Sequence, residues 1–499
     1  MAGRLGRALQ TTPTLAKDFL NGLWNRFSQP ERKEWCAIFY FVGQGDGSTS
    51  EASAPRDLDT KIEEKIKALK VASLIHPDKV HIVYRAVWGV KGKPVAQVVN
   101  SSGWPPAVIG FPGYEPNLGR VDTTKDLPFF LQWAYKWCPA EHYALFFFGH
   151  SFGPAGLFAP EAGIVFNTPK PLDLVSLRRA LELFNAERAG SQPPGRLPIE
   201  DTDRPHWGSG KPGPDGFPLV QSAEASLDLA STKLDVVLFE DCWMSTLETA
   251  YELQYEVRYV VASQSLLPLG SDDKNFLWPY SCLVHTLATV TVDWQGQLAT
   301  LIRAFYQGNP STFHPKKSAA NAKRAPLRTV PITLLDLAAV QGITVPLRAF
   351  VSAMSSQFPA KPDRGEKIRL GRIFVDTSDW LAGDAALIDL VALCLEMEKE
   401  KDPLATTALA LRNALSILIK SIDESLPISP KKGAAAAKMP KLGFLGVSVL
   451  YCPPEEPKDT PSPIVEILND GFYESLKFPK EVGDSLHKNE VWPALEQHQ

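Results

Sequence analysis

Residues 234–256 read LDVVLFEDCWMSTLETAYELQYE. The opening Leu234 to Phe239 is a near-continuous apolar run, the pattern of a strand covered on both faces. It breaks at Glu240-Asp241-Cys242, and helix-forming residues follow within a few positions. RYVVAS, Arg258 to Ser263, then repeats the strand pattern. Strand, polar tip, helix, strand is the unit of a mostly parallel sheet with helices on both faces.

The same unit recurs upstream. WCAIFYFVG (Trp35 to Gly43), VHIVYRAVW (Val80 to Trp88) and YALFFF (Tyr143 to Phe148) read as further buried strands. Between them, Asp59 to Val71 carries an apolar stripe at helical spacing (Leu58, Ile62, Ile66, Leu69), charges on the other face, and a Thr60/Glu63 capping box. LPFFLQWAYKWC and SLRRALELF (Ser176 to Phe184) read as two more helices. The glycine-rich Gly43 to Ser48 is a strand-end turn, because no helix opens behind it to cradle a phosphate. Beyond it the sequence predicts an α/β extension: ITLLDL, helical stretches near 335–356 and 383–423, and the strand LGFLGVSVLYCPP.

This divides the 499 residues into an N-terminal extension (1–33), an α/β domain (34–310), a basic linker or loop (311–328) and a C-terminal region packing on the core (329–499). Leu15 to Phe27 has amphipathic spacing suited to docking rather than membrane anchoring. Residues 189–218, dense in proline, glycine and charge, predict an exposed, mobile loop.

Composition excludes several classes. The 52 basic and 56 acidic residues leave a net charge of −4, so no global basic excess points to nucleic acid. No run approaches the roughly 18 apolar residues of a membrane span. The six cysteines show no zinc spacing, so no metal site is expected on thiolates. Several sit in apolar runs, and the N-terminus lacks a signal-peptide core, which predicts a reduced, cytoplasmic protein.

Ligands of such sheets bind beyond the carboxyl ends of the strands. There the chain places Gly149-His150-Ser151-Phe152-Gly153 on one strand and Cys242 on the next long one. The first run fits GxSxG, the serine-hydrolase elbow with Ser151 as nucleophile. That motif needs a helix directly behind it, and Pro154, Gly156 and Pro160 oppose one. The alternative uses Cys242 as nucleophile and His150 as its partner, with the helix after Cys242 favouring thiolate and the backbone N–H groups of Ser151 and Cys242 facing an oxyanion. By spacing alone, a buried thiol and a capping histidine fit equally well.

LDVVLFEDCWMSTLETAYEL resembles the nucleophile segment of the clostripain family, and YALFFFGHSFG its histidine segment. Trp35 to Gly47, Val261-Ala262-Ser263, Trp278-Pro279-Tyr280, ITLLDLAAV and GVSVLYCPP resemble other segments in the same order. The resemblance implies a caspase-like fold and a cysteine endopeptidase acting through His150 and Cys242. It implies a pocket for the residue before the cut around Glu240, Asp272 and Ser263, and with it a preference for Arg or Lys. It allows calcium, although no cofactor is required. It implies a protein or peptide substrate, a regulatory protein partner, and self-cleavage, for which Arg196, Arg204, Lys211 and the stretch from Lys316 to Arg328 are candidates. Gly149 and Ser151 depart from the family pattern on either side of the histidine, and Gln264 and Ser265 stand where acidic residues are usual. A catalytically inactive scaffold of the same fold is the competing reading.

Overall fold

A computed structural model describes residues 31–43, 58–88, 94–99, 121–151, 153–158, 172–190, 232–264, 267, 270–271, 274–275, 278–308, 330–357, 386–422, 445–451 and 476. The Leu15 to Phe27 helix, Asp272, Arg196, Arg204, Lys211, the stretch from Lys316 to Arg328 and nearly all of the 189–218 loop lie outside these residues.

One eight-stranded sheet organises the chain, in the order Ile419–Ser421, Ile332–Asp336, Val257–Ser263, Leu234–Glu240, Ala140–Phe148, Lys33–Val42, Val80–Val87, Val95–Val98. Its centre is β1 (Lys33–Val42), β2 (Val80–Val87), β4 (Ala140–Phe148), β5 (Leu234–Glu240) and β6 (Val257–Ser263), all paired in parallel. Antiparallel strands close the edges: β3 (Val95–Val98) on β2, and β9 (Ile332–Asp336) with β11 (Ile419–Ser421) beyond β6. The expected α/β fold with a mostly parallel sheet is therefore present. The residues beyond 329 do more than pack on that core, because β9 and β11 extend its hydrogen-bonded ladder.

Alternate residues of β1 show why the central strands are apolar throughout. Phe39 meets Tyr280 edge-on at 5.4 Å, whereas its neighbour Tyr40 meets Phe130 at 5.9 Å. Tyr280 opens the helix Tyr280–Thr289, and Phe130 lies in the helix Thr123–Trp137. Facing opposite ways, the two rings bury opposite faces of one strand. Among the described residues, α1 (Leu58–Ala72) packs with Tyr280–Thr289, which packs in turn with Trp294–Gly308. Across the sheet, α2 (Thr123–Trp137) packs with α3 (Leu174–Arg188), and α3 packs with α4 (Leu247–Leu253). The helices Tyr280–Thr289 and Trp294–Gly308 are α5 and α6. Two small sheets lie apart from it: β7 (Gly270–Ser271) pairs with β8 (Lys274–Asn275), and β10 (Ala386–Asp389) with β12 (Ser448–Tyr451), next to α4. No helix among the described residues is long and apolar enough to cross a membrane.

Two local expectations change. α1 begins at Leu58, so Thr60 lies inside the helix and is not its cap. Lys65, on the face read as charged and solvated, is 1% exposed.

Candidate active site

β4 and β5 pair in register, Phe148 opposite Glu240. His150 and Cys242 thus stand at equal distances past a shared rung, on neighbouring strand tips. Three contacts join those tips. The Ser151 hydroxyl donates to the Cys242 carbonyl. A Cβ on Gly153 would lie 3.1 Å from the Trp243 carbonyl oxygen, so the two backbones pass close together. The Gly149 N–H faces the Asp241 carboxyl without completing a hydrogen bond to it.

The His150 tip turns back without a helix. Only a short 3-10 turn, Gly153–Ala155, follows it. Ser151 then bridges Leu157, Leu157 bridges Leu172, and the Phe158 N–H donates to the His150 carbonyl at 2.5 Å. Among the described residues no helix stands where a serine elbow requires one, and Ser151 is 1% exposed. Ser151 is a tie between the tips, not a presented nucleophile. Gly149 has a steric cause here: a Cβ would come within 2.6 Å of the Phe158 ring.

On the Cys242 side, the expected helix begins only at Leu247, capped by the Thr246 side chain. Its N-terminus is not at the thiol. Trp243 takes φ +56° in between, a left-handed conformation rare for a bulky residue and characteristic of constrained functional turns. The donor at sulfur comes from elsewhere: the Leu267 N–H meets Cys242 Sγ at 3.3 Å. Cys242 is 9% exposed. Burial pushes its thiol up to about 12, Leu267 opposing and Asp241 adding. In this arrangement the sulfur is a covered, protonated thiol.

The pocket residues fall differently from expectation. Glu240 Oε1 accepts from Lys65 Nζ at 2.5 Å, and Oε2 accepts from the Tyr280 hydroxyl at 2.6 Å. Its carboxylate is thus occupied within the chain, which does not support the Arg or Lys preference inferred for it. Ser263 is fully buried, and its carbonyl accepts the Ser245 N–H at 3.0 Å. It anchors the turn after the nucleophile.

Sequence reading missed two residues. Asp241, to which the sequence assigns no role, is buried, and burial followed by Glu240 raises its carboxyl well above the usual range. Neither of its oxygens completes a hydrogen bond. Gln264 is a hub. Its Oε1 accepts from the Gly446 N–H at 2.7 Å, and its Nε2 donates to Asp389 Oδ2 at 3.2 Å and Ser448 Oγ at 3.1 Å. Ser245 Oγ donates to the Gly446 carbonyl at 2.6 Å, and the Ser448 N–H to the Ser245 carbonyl at 3.0 Å. The segment 445–448 therefore clasps both the turn behind Cys242 and the start of the segment that reaches Leu267. The only sequence signal was an amide standing where the resemblance leads one to look for acids.

A family model described as the clostripain family matches residues 220–446. Through this segment the chain is similar to the clostripain family. The match contains Glu240, Cys242 and Gln264 and stops short of His150. The chain is a cysteine peptidase, a hydrolase acting on protein or peptide substrates. No curated protein matches it. Among solved structures it is similar to a secreted C11 cysteine protease from Bacteroides thetaiotaomicron in complex with an irreversible peptide inhibitor. The TM-score is 0.50 at 12% identity, covering 90% of this chain and 98% of that one. It is also similar to an inactive zymogen C11 protease from Parabacteroides distasonis, with TM-score 0.47, 13% identity, and coverage of 91% and 99%. The first of these carries the caspase-like fold assignment.

It also overturns the cytoplasmic expectation, since a protease of this fold is secreted. The physical basis of that expectation was slight. Cys36, Cys138, Cys242 and Cys394 are free and buried, behaving as small apolar groups, which says nothing about a reducing compartment. Among the described residues no group of three or more His, Cys, Asp or Glu side chains is placed to hold a metal ion.

Proposed function

We propose that the chain is a cysteine endopeptidase with Cys242 as nucleophile and His150 as acid and base. His150 takes the thiol proton, and the sulfur attacks the scissile carbonyl. The imidazolium then protonates the leaving amine as the thioester forms. Water, deprotonated by His150, hydrolyses the thioester and restores the thiol. The N–H groups of Ser151 and Cys242 are the proposed donors to the oxyanion.

The single observation that carries this reading is the coupling of the two tips: a shared register at Phe148 and Glu240, and the Ser151 hydroxyl on the Cys242 carbonyl. The covered thiol makes the described arrangement a closed one. Productive binding requires the segment at Leu267 to leave the sulfur, and a substrate strand entering there replaces its contacts.

A catalytically silent scaffold is the second reading, favoured by the same covered thiol. An irreversible peptide inhibitor separates them. Cys242 becomes labelled in an enzyme, His150→Ala abolishes the labelling, and Ser151→Ala retains it. A wild-type protein that neither labels nor cleaves any peptide is the scaffold.

A further inference from the structure

Glu240 stands two residues before the proposed nucleophile, at the last position of β5. A carboxylate there would draw a cation from the substrate, but the chain supplies its own. Besides its bond to Glu240, Lys65 Nζ donates to the Tyr280 hydroxyl at 3.2 Å and lies 4.1 Å from the centre of the Phe148 ring. Burial moves Lys65 down and Glu240 up, while their contact holds each back. Whether the proton stays on nitrogen or is shared, the pair carries no net charge.

The surroundings are aromatic. Trp278 Nε1 donates to the Tyr306 hydroxyl at 2.9 Å, and both residues are 2% exposed. Tyr306 lies near enough for Glu240 and Cys242 to act on its hydroxyl, which burial first of all raises. Tyr280 and Phe148 complete the lining around the ion pair. On the α1 and α5 side, the neighbourhood of the thiol is thus aromatic and electrically balanced. A basic substrate side chain brought there has to compete with a lysine already tethered in place, and otherwise stays an unpaired charge among rings.

We propose that Lys65 sets the cleavage specificity: by neutralising Glu240 from within the chain, it selects an uncharged, apolar or aromatic residue before the scissile bond. This rests on Cys242 and His150 being the catalytic pair. Lys65 touches no substrate; it acts through Glu240.

The test uses full-length protein and two readouts: kcat/KM on peptides differing only in the residue before the cut, and intact-mass labelling of Cys242 by irreversible peptide inhibitors ending in norleucine or lysine. Wild type favours the uncharged residue by at least about tenfold. Lys65→Met exposes the Glu240 charge and shifts the ratio toward Arg and Lys, and adding Glu240→Gln removes that shift. A wild-type preference for Arg or Lys overturns the proposal, with the dyad left standing. So does a Lys65→Met protein that loses activity on all peptides equally, the mark of a purely structural ion pair. If Lys65→Met does not fold, the wild-type profile decides. No labelling and no cleavage with any peptide overturns the dyad and this proposal together.

Discussion

The backbone N–H of Leu267 points at the sulfur of Cys242 from 3.3 Å, and burial, outweighing that N–H, pushes the thiol up to about 12. An exposed cysteine titrates near 8.5, and only thiolate is nucleophilic. The difference corresponds to about a thousandfold less thiolate at neutral pH. Cys282 is the exposed free cysteine of α5. With iodoacetamide at pH 7.5, Cys282 should label first and Cys242 should lag by orders of magnitude, gaining about tenfold per pH unit up to its own pKa. Peptide mapping over a time course reads both. Equal rates would mean that Leu267 does not cover the sulfur.

Gln264 satisfies three partners with one side chain: Gly446, Asp389 and Ser448. Gln264→Leu leaves the buried Gly446 N–H without its acceptor and takes one of several bonds from the Asp389 carboxylate. The expected cost is about 2–4 kcal/mol, from roughly 1–3 kcal/mol for each buried group left unsatisfied. Denaturant titration measures it. Because the same side chain anchors the segment that leads to Leu267, the variant should also label faster at Cys242. Loss of stability with unchanged labelling would separate the clasp from the cover.

Asp126 of α2 accepts from the Tyr40 hydroxyl at 2.8 Å and from Arg85 Nε at 2.9 Å, and it also pairs with Arg85 Nη2. Arg85 and Asp126 are 3% and 1% exposed. Asp126→Ala leaves a guanidinium buried without its charge partner, at a cost of about 3–5 kcal/mol. Tyr40→Phe removes one hydrogen bond and should cost about 1 kcal/mol. Urea midpoints of the two variants should rank in that order, and a reversal would locate the stabilisation outside the ion pair.

Asp389 caps the helix Leu390–Met397 through the Ala392 N–H at 2.8 Å and also holds the Leu445 N–H and Gln264. Burial nevertheless raises its carboxyl to about 6, the hydrogen bonds opposing. An unfolded Asp titrates near 3.9. Between these values the folded chain holds more protons than the unfolded one, so stability falls as pH rises from about 4 to about 6. The drop from this group is at most about 3 kcal/mol. Asp389→Asn should flatten that slope while lowering stability overall. An equal slope in both proteins would assign the pH dependence to other carboxyls, Asp241 and Glu240 first.

The central strands were legible in the sequence because a strand covered on both faces must be apolar at every position, and Trp35 to Gly43, Val80 to Trp88, Tyr143 to Phe148 and Leu234 to Phe239 are nearly so. The strand tips were legible for the complementary reason: polar residues at the end of such a run, as in Gly149-His150-Ser151 and Glu240-Asp241-Cys242, cannot continue it. Helix starts were less legible. Thr60 has capping chemistry but lies inside α1, since the end of a helix depends on what the preceding turn packs against.

The sequence by itself determined the α/β core, the two catalytic candidates at adjacent strand ends, and the absence of a helix behind Ser151. Each of these follows from side-chain periodicity or backbone restriction within a few residues. Only the tertiary structure decided what surrounds the thiol. Lys65 reaches Glu240 across 175 residues, Gln264 reaches Asp389 across 125 and Gly446 across 182. A buried charge or amide takes whichever partner packing brings to it, and local periodicity carries no record of that choice. Lys65 therefore reads as a solvated helix position in the sequence and becomes, once α1 closes on the sheet, the counter-charge beside the nucleophile.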